Sequence, residues 1–203
     1  MTCFWQAYQD IFPSKYIQPS NSDRIISKAL NKLPPGKALD VGGGVNGTQY
    51  LIDWSNSYSL LDPYVLSKLP QIQWDNVTID LFDAVIARGS INYLVPNQIK
   101  QLLQSIKNGG LLAFNTFLNM KEGERIYISH NDSGFEKSRI IDGGLFGMIE
   151  HTLEPENSLP IIHSFFYYPS EWFLDIIKSV GLQAKIIKNK NTAVFLCWRY
   201  NTK

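Results

Sequence analysis

The stretch "KALDVGGGVNGTQYLIDW", residues 37–54, decides the fold. A short apolar strand, "KALDV", runs straight into three consecutive glycines, and a short helix over "GTQYLIDW" follows. Glycine permits a tight turn there and lets a ligand rest against bare backbone. The helix after such a loop presents unpaired N–H groups to a negative group.

Strands and helices alternate outward from this point. Upstream, "SDRIISKALNKL" reads as a helix with Ile25, Ile26, Ala29, Leu30 and Leu33 on one face; Asn21 or Ser22 caps it and Pro34-Pro35-Gly36 stops it. Downstream, "YSLLD" is a second strand ending at Asp62-Pro63, and "FDAVIAR", 82–88, is a third. "PNQIKQLLQSIK" is a helix with Ile99, Leu102, Leu103 and Ile106 inward; Gly109-Gly110 ends it and the strand "LLAFNTF" follows. "SEWFLDIIKSV" is a further helix, with Trp172, Phe173, Ile176, Ile177 and Val180 on one face and Gly181 at its end. "QAKIIKNK" and "TAVFLCWRY", joined at Asn191, close the chain as an antiparallel hairpin. Lys185, Lys188 and Lys190 alternate on the first of these strands, which suits a protected sheet edge.

This order predicts an α/β class with a mostly parallel sheet. Residues 118–160 break the rhythm, being rich in Gly, Asn, Ser and Glu without a clean period. The expectation is one domain over 1–203, with 1–35 as an N-terminal helical lid and 118–168 as an insertion that shapes the substrate region.

The chain has 203 residues, 44% apolar and 18% charged, the composition of a globular domain. A net charge of +1 lacks the electrostatic footprint of a dedicated nucleic-acid binder. No apolar run approaches membrane-spanning length, and the N-terminus lacks the pattern of a signal peptide. Cys3 and Cys197 have neither metal-type spacing nor a disulfide framework, so a cytoplasmic setting is expected.

Gly42, Gly44 and Gly47 satisfy G-x-G-x-x-G, a weak pattern alone. Asp62, twenty residues after Gly42 at the end of the second strand, strengthens it, because a carboxylate there can accept both ribose hydroxyls of a nucleoside. A nucleoside-containing ligand is therefore expected, either a dinucleotide such as NAD or S-adenosylmethionine.

The ordered set "DVGGG", then Asp62, "FDAVIARGSINYL", "IKNGGLLAFNTF" and the final helix and hairpin resembles the class I S-adenosylmethionine-dependent methyltransferases, from about residue 37 to residue 200. The resemblance implies a Rossmann-like seven-stranded, mostly parallel sheet with an antiparallel last strand and helices on both faces. It implies S-adenosylmethionine as cofactor, with Asp40, Gly42, Gly43 and Gly44 beneath its methionine part. That part's carboxylate would take the helix end. Asp62, with Pro63, would hold the ribose, while Ala87, Arg88 and Gly89 would border the sulfonium. Two departures stand out: Asn46 replaces a usual glycine, and 63–81 is short for a helix and a strand. "QIQWDN" is the candidate remnant third strand, with Asp75 as the adenine acid and Asp80 as its rival.

The resemblance also narrows the chemistry. "ARGS" stands where methyltransferases of base amines or glutamine amides carry an Asn-Pro-Pro-Tyr type segment, and no cysteine lies near to attack a pyrimidine carbon. Asn92 alone will not hold a metal. A small-molecule acceptor at O, N or S remains, with a peptide as alternative, and donor binding without turnover as a reading from another class. The three histidines, His130, His151 and His163, are spaced too irregularly for zinc. His163, leading "HSFFYYPSEWF", is the candidate base. Tyr167 accompanies it as the second candidate catalytic residue, and Tyr8, Tyr93 and His130 are the candidate substrate contacts. Arg24 is read as a solvated helix charge.

Overall fold

The computed structural model describes residues 20–44, 46–63, 67–118, 125–131, 134–142, 147–155, 159–189 and 192–199. Of these, 125–131, 134–142, 147–151 and 155 are described by backbone alone. Two compact units emerge: one joins Asn21–Thr116 to Ser170–Lys203, and the other takes in Phe117–Pro169.

The first unit is a six-stranded sheet in the order β2-β1-β3-β4-β10-β9. Its strands are β1 (Lys37–Val41), β2 (Ser57–Leu61), β3 (Phe82–Ala87), β4 (Ile106–Phe117), β9 (Gln183–Asn189) and β10 (Thr192–Trp198). β1 pairs in parallel with β2 and β3, and β3 with β4, while β9 and β10 are antiparallel. Helices α1 (Asn21–Leu30) and α2 (Gln49–Trp54) share a face, and α3 (Pro96–Ser105) and α4 (Ser170–Ser179) pack together.

The pleat explains this layering, since alternate residues of a strand point to opposite faces. Ala38, Ala84, Ile86, Leu111, Ala113, Val194 and Leu196 form one apolar surface, covered by Ile26 and Leu30 of α1 and by Leu51 and Trp54 of α2. On α3, Ile99, Leu102 and Leu103 are buried, as the helical period predicts. Phe114 of β4 and Phe195 of β10 stack at 4.8 Å between centroids, and Phe173 of α4 sits 4.9 Å from Phe114 and 5.5 Å from Phe195.

The expected seven strands are six. Between Asp62 and Phe82 the chain is too short to cross over and return as a full strand. It makes one parallel bridge, Gln71 beside Leu60, with the Leu60 N–H donating to Pro70 O at 2.7 Å and the Ile72 N–H to Leu60 O at 2.9 Å. A single 3-10 turn, Trp74–Asn76, follows. The Gln101 amide of α3 pins it, donating to the carbonyls of Trp74 at 2.9 Å and Val77 at 2.8 Å.

Gly109-Gly110 also act differently from expectation. The helix stops at Ser105, and the glycines lie inside β4, where the register with β3 jumps from Phe82↔Ile106 to Ala84↔Leu111. A side chain at Gly110 would meet the Asp83 carbonyl at 2.9 Å, so only glycine lets the two strands close around this bulge.

The second unit contains a four-stranded antiparallel sheet in the order β5-β6-β7-β8. Its strands are β5 (Arg125–Asn131), β6 (Gly134–Asp142), β7 (Gly147–Pro155) and β8 (Ile161–Tyr167). The segment without a clean period is thus a meander. Strands such as "GFEKSRIID" and "GMIEHTLEP" mix charge and apolar residues without strict alternation, so their periodicity is weak.

Phe173 has no exposure and ties α4 to two strands through aromatic contacts. Phe173→Ala should lower stability by about 3–5 kcal/mol, read as a shift in the urea midpoint with little change in slope.

Candidate functional site

Alternation along β1 sends Asp40 to the same face as Ala38, one step above the apolar layer, where it is fully buried. A buried carboxylate is costly unless hydrogen-bonded. Its Oδ2 accepts from the Thr48 backbone N–H at 2.7 Å and from the Tyr58 hydroxyl at 2.7 Å. Its Oδ1 has no hydrogen-bond partner among the described residues. Burial pushes the Asp40 carboxyl above its ordinary 3.8, against the two hydrogen bonds and the charge of Arg88. Burial, with Asp40 beside it, raises the Tyr58 hydroxyl too, so Tyr58 stays protonated and able to donate.

Thr48 stands at the head of α2, a helix of six residues. The first N–H of the helix end, expected to meet a ligand carboxylate, is therefore already taken by the chain's own aspartate.

The glycines divide the work. A side chain at Gly43 would collide with the Asp40 carboxylate, so this glycine permits a close approach. Gly44 is left-handed at φ +73° and would face open space. Its N–H donates to Asp62 Oδ2 at 3.1 Å, joining the loop to the end of β2. Asn46 needs no glycine, because the left-handed position falls one residue later, at Gly47 with φ +65°.

Beyond β3, the Arg88 Nη1 donates to both Asp23 oxygens, at 3.2 and 3.3 Å. Asp23 is 2% exposed, and the Tyr50 hydroxyl donates to it at 3.4 Å. The Ser90 hydroxyl donates to the Val41 carbonyl, and the Gly89 N–H donates to Asn115 Oδ1 at 2.8 Å. Thr116 donates to the buried Asn92 at 3.1 Å.

The structure thus gathers Asp40, Gly42, Gly43, Gly44, Asp62, Arg88 and Gly89 at the carboxyl ends of β1, β2 and β3. Pro63 is exposed in the turn after β2, and Asp75 is exposed on the 3-10 turn. The rival acid Asp80 precedes β3 at its amino end, on the opposite edge from Arg88, and pairs with Arg199 at 2.7 Å. Tyr93 is half-buried and Arg24 exposed.

The second unit carries the other candidates. His163 on β8 is in register with His151 on β7, and Tyr167 on the same strand is buried. His130 lies on β5 opposite Phe135. Tyr8 falls outside the described residues.

Sequence reading missed Asp23, Thr48, Tyr58, Ser90 and Asn115. One of these had a signal. Asp23, Ile26 and Leu30 are spaced i, i+3, i+7, so the acid sits on the inward stripe of α1. The others are recognised only by what they touch.

Asp40 makes a pH prediction. A carboxyl raised in the folded chain means that the native state holds the extra proton. Stability therefore falls as pH rises through the window above 3.8. The Asp40→Asn variant keeps an acceptor for Thr48 and Tyr58 but cannot ionise. Without ligand it should gain stability relative to wild type between about pH 4 and about pH 7. Urea unfolding at both ends of that range measures the difference.

No protein-family model matches the sequence, and no curated protein matches it. Solved structures do. An S-adenosylmethionine-dependent methyltransferase from Clostridium acetobutylicum ATCC 824 matches at 16% identity and a TM-score of 0.69, covering 98% of both chains. CalS10, an amino pentose methyltransferase from Micromonospora echinaspora solved with S-adenosylmethionine bound, matches at 14% identity and 0.68, covering 98% of this chain and 99% of its own. The sugar N-methyltransferase KedS8 from Streptoalloteichus sp ATCC 53650 matches at 15% and 0.61, covering 88% and 85%. The chain has their fold.

Proposed function

We propose, from the class I methyltransferase fold of this chain, that it binds S-adenosylmethionine and carries out methyl transfer to a nitrogen, oxygen or sulfur atom of a small molecule. The observation that supports it most is the closed link from the glycine loop to the ribose acid, the 3.1 Å hydrogen bond between Gly44 and Asp62. Two features fit the donor. Among the described residues nothing lies within 4 Å of where a side chain at Gly44 would begin. Asp40 holds the loop from beneath, accepting from the Thr48 N–H and filling the space under Gly43.

Bound there, S-adenosylmethionine supplies an electrophilic methyl group on a sulfonium whose leaving group is a neutral thioether. The protein's part is chiefly orientation. Gly42, Gly43 and Gly44 would pass beneath the methionine part and Asp62 would accept from the ribose. Asp75 is the candidate for the adenine edge. An amine on a sugar-like acceptor is the favoured nucleophile, because CalS10 and KedS8 are named for amino pentose and sugar nitrogen chemistry. An ammonium must lose its proton before it attacks, and His163 is assigned as the base that takes it, with Tyr167, Tyr93, Tyr8 and His130 in acceptor recognition.

Donor binding without turnover is the second reading, kept open by the shortened 63–81 segment. A methyl label transferred from donor to amino sugars decides between the two.

Calorimetry should show S-adenosylhomocysteine binding and no binding of NAD. Asp62→Ala should weaken that binding by about tenfold or more, the cost of hydrogen bonds to a charged acceptor. His163→Ala should lower kcat by about 10²–10⁴-fold, remove the acidic limb of the pH–rate profile and leave S-adenosylhomocysteine binding intact. An unchanged profile would exclude the base assignment.

A further inference from the structure

We infer that Arg88, oriented by Asp23, is the anchor for the α-carboxylate of the donor's amino-acid part. This rests on the donor reading above and assigns one subsite within it. The helix end is a weak competitor for that anion. α2 has only six residues, and the N–H of Thr48 is committed to Asp40. Arg88 stands two residues beyond Ile86, the register partner of Asp40, and Asp40 sits directly under Gly43.

The chemistry of the guanidinium selects the carboxylate over the sulfonium. A cation beside a positive sulfur repels it, whereas the carboxylate, separated from the sulfur by the three carbons of the methionine chain, is attracted. Arginine presents five N–H donors in a planar fork. Only Nη1 is used by Asp23, through two long bonds, and the other donors make no hydrogen bond among the described residues. The Arg88 side chain is one-third exposed, while Asp23 is buried on α1. The tether orders a long side chain before any ligand arrives, which lowers the entropy cost of binding. Asp23 is thus a positioning residue, acting through Arg88.

The test compares two ligands on the full chain by calorimetry: S-adenosylhomocysteine and 5′-methylthioadenosine, which shares adenosine and sulfur but lacks the amino acid. Arg88→Met keeps most of the side-chain stem. It should weaken S-adenosylhomocysteine by about 10- to 100-fold and change 5′-methylthioadenosine by less than about twofold. Arg88→Lys, which keeps the charge but not the fork, should fall between Arg88→Met and wild type. Asp23→Asn should give a smaller loss, again confined to S-adenosylhomocysteine. Equal loss of both ligands in Arg88→Met, or no loss of either, overturns the anchor. Equal or absent loss in Asp23→Asn alone overturns the tether. Wild-type protein that binds neither ligand overturns the donor reading itself.

Discussion

A carboxyl group buried near the carboxyl end of β1 organises the loop side of the first unit. Asp40 has no exposure, so its charge must be met by hydrogen bonds from protein. The Thr48 N–H and the Tyr58 hydroxyl meet it, and each fixes something else in doing so. Thr48 sets where α2 begins. Tyr58 ties β2 to the loop of β1. Gly43 must lack a side chain because the same carboxylate fills the space beneath it, and Gly47 must lack one because Tyr58 does. The loop's shape follows from this buried acid together with the left-handed backbone of Gly42, Gly44 and Gly47.

That polar edge can exist because the layer below it is apolar. Ile26, Leu30, Leu51 and Trp54 close one face of the sheet, and Phe114 stacked on Phe195, with Phe173 tilted against both, gives the unit an aromatic cluster. α1 serves both regions. Its inward stripe buries Ile26 and Leu30 near the middle of the sheet and ends, one turn earlier, in Asp23 at the level of Arg88. A helix that anchors the core thus also holds a cation beyond the end of β3.

The outer edge beyond β2 is where the chain departs from a full seven-stranded sheet. The nineteen residues from Pro63 to Leu81 are too few for a helix and a full strand, and the described ones spend their length on one bridge at Gln71 and a 3-10 turn held by Gln101. Asp75 is exposed on that turn. Asp80, five residues on, precedes β3 at its amino end and is bound to Arg199.

The strands β1, β2, β3 and β10, the four helices of the first unit and the glycine loop were legible in the sequence. Their apolar period and their Pro and Gly stops are local properties of the chain. Gly42, Gly44, Asp40 and Asp62 were legible for the same reason, since they stand at fixed offsets from a strand end. The meander of 125–167 was not, because its strands lack the strict alternation that marks a half-buried sheet. Nor were the roles of Thr48, Tyr58, Ser90 and Asn115, or the pairing of Asp23 with Arg88 across 65 residues. Hydrogen bonds between residues far apart in sequence leave no local pattern. Which acid is buried, which N–H is already taken and which cation remains accessible were decided only when the strands came together.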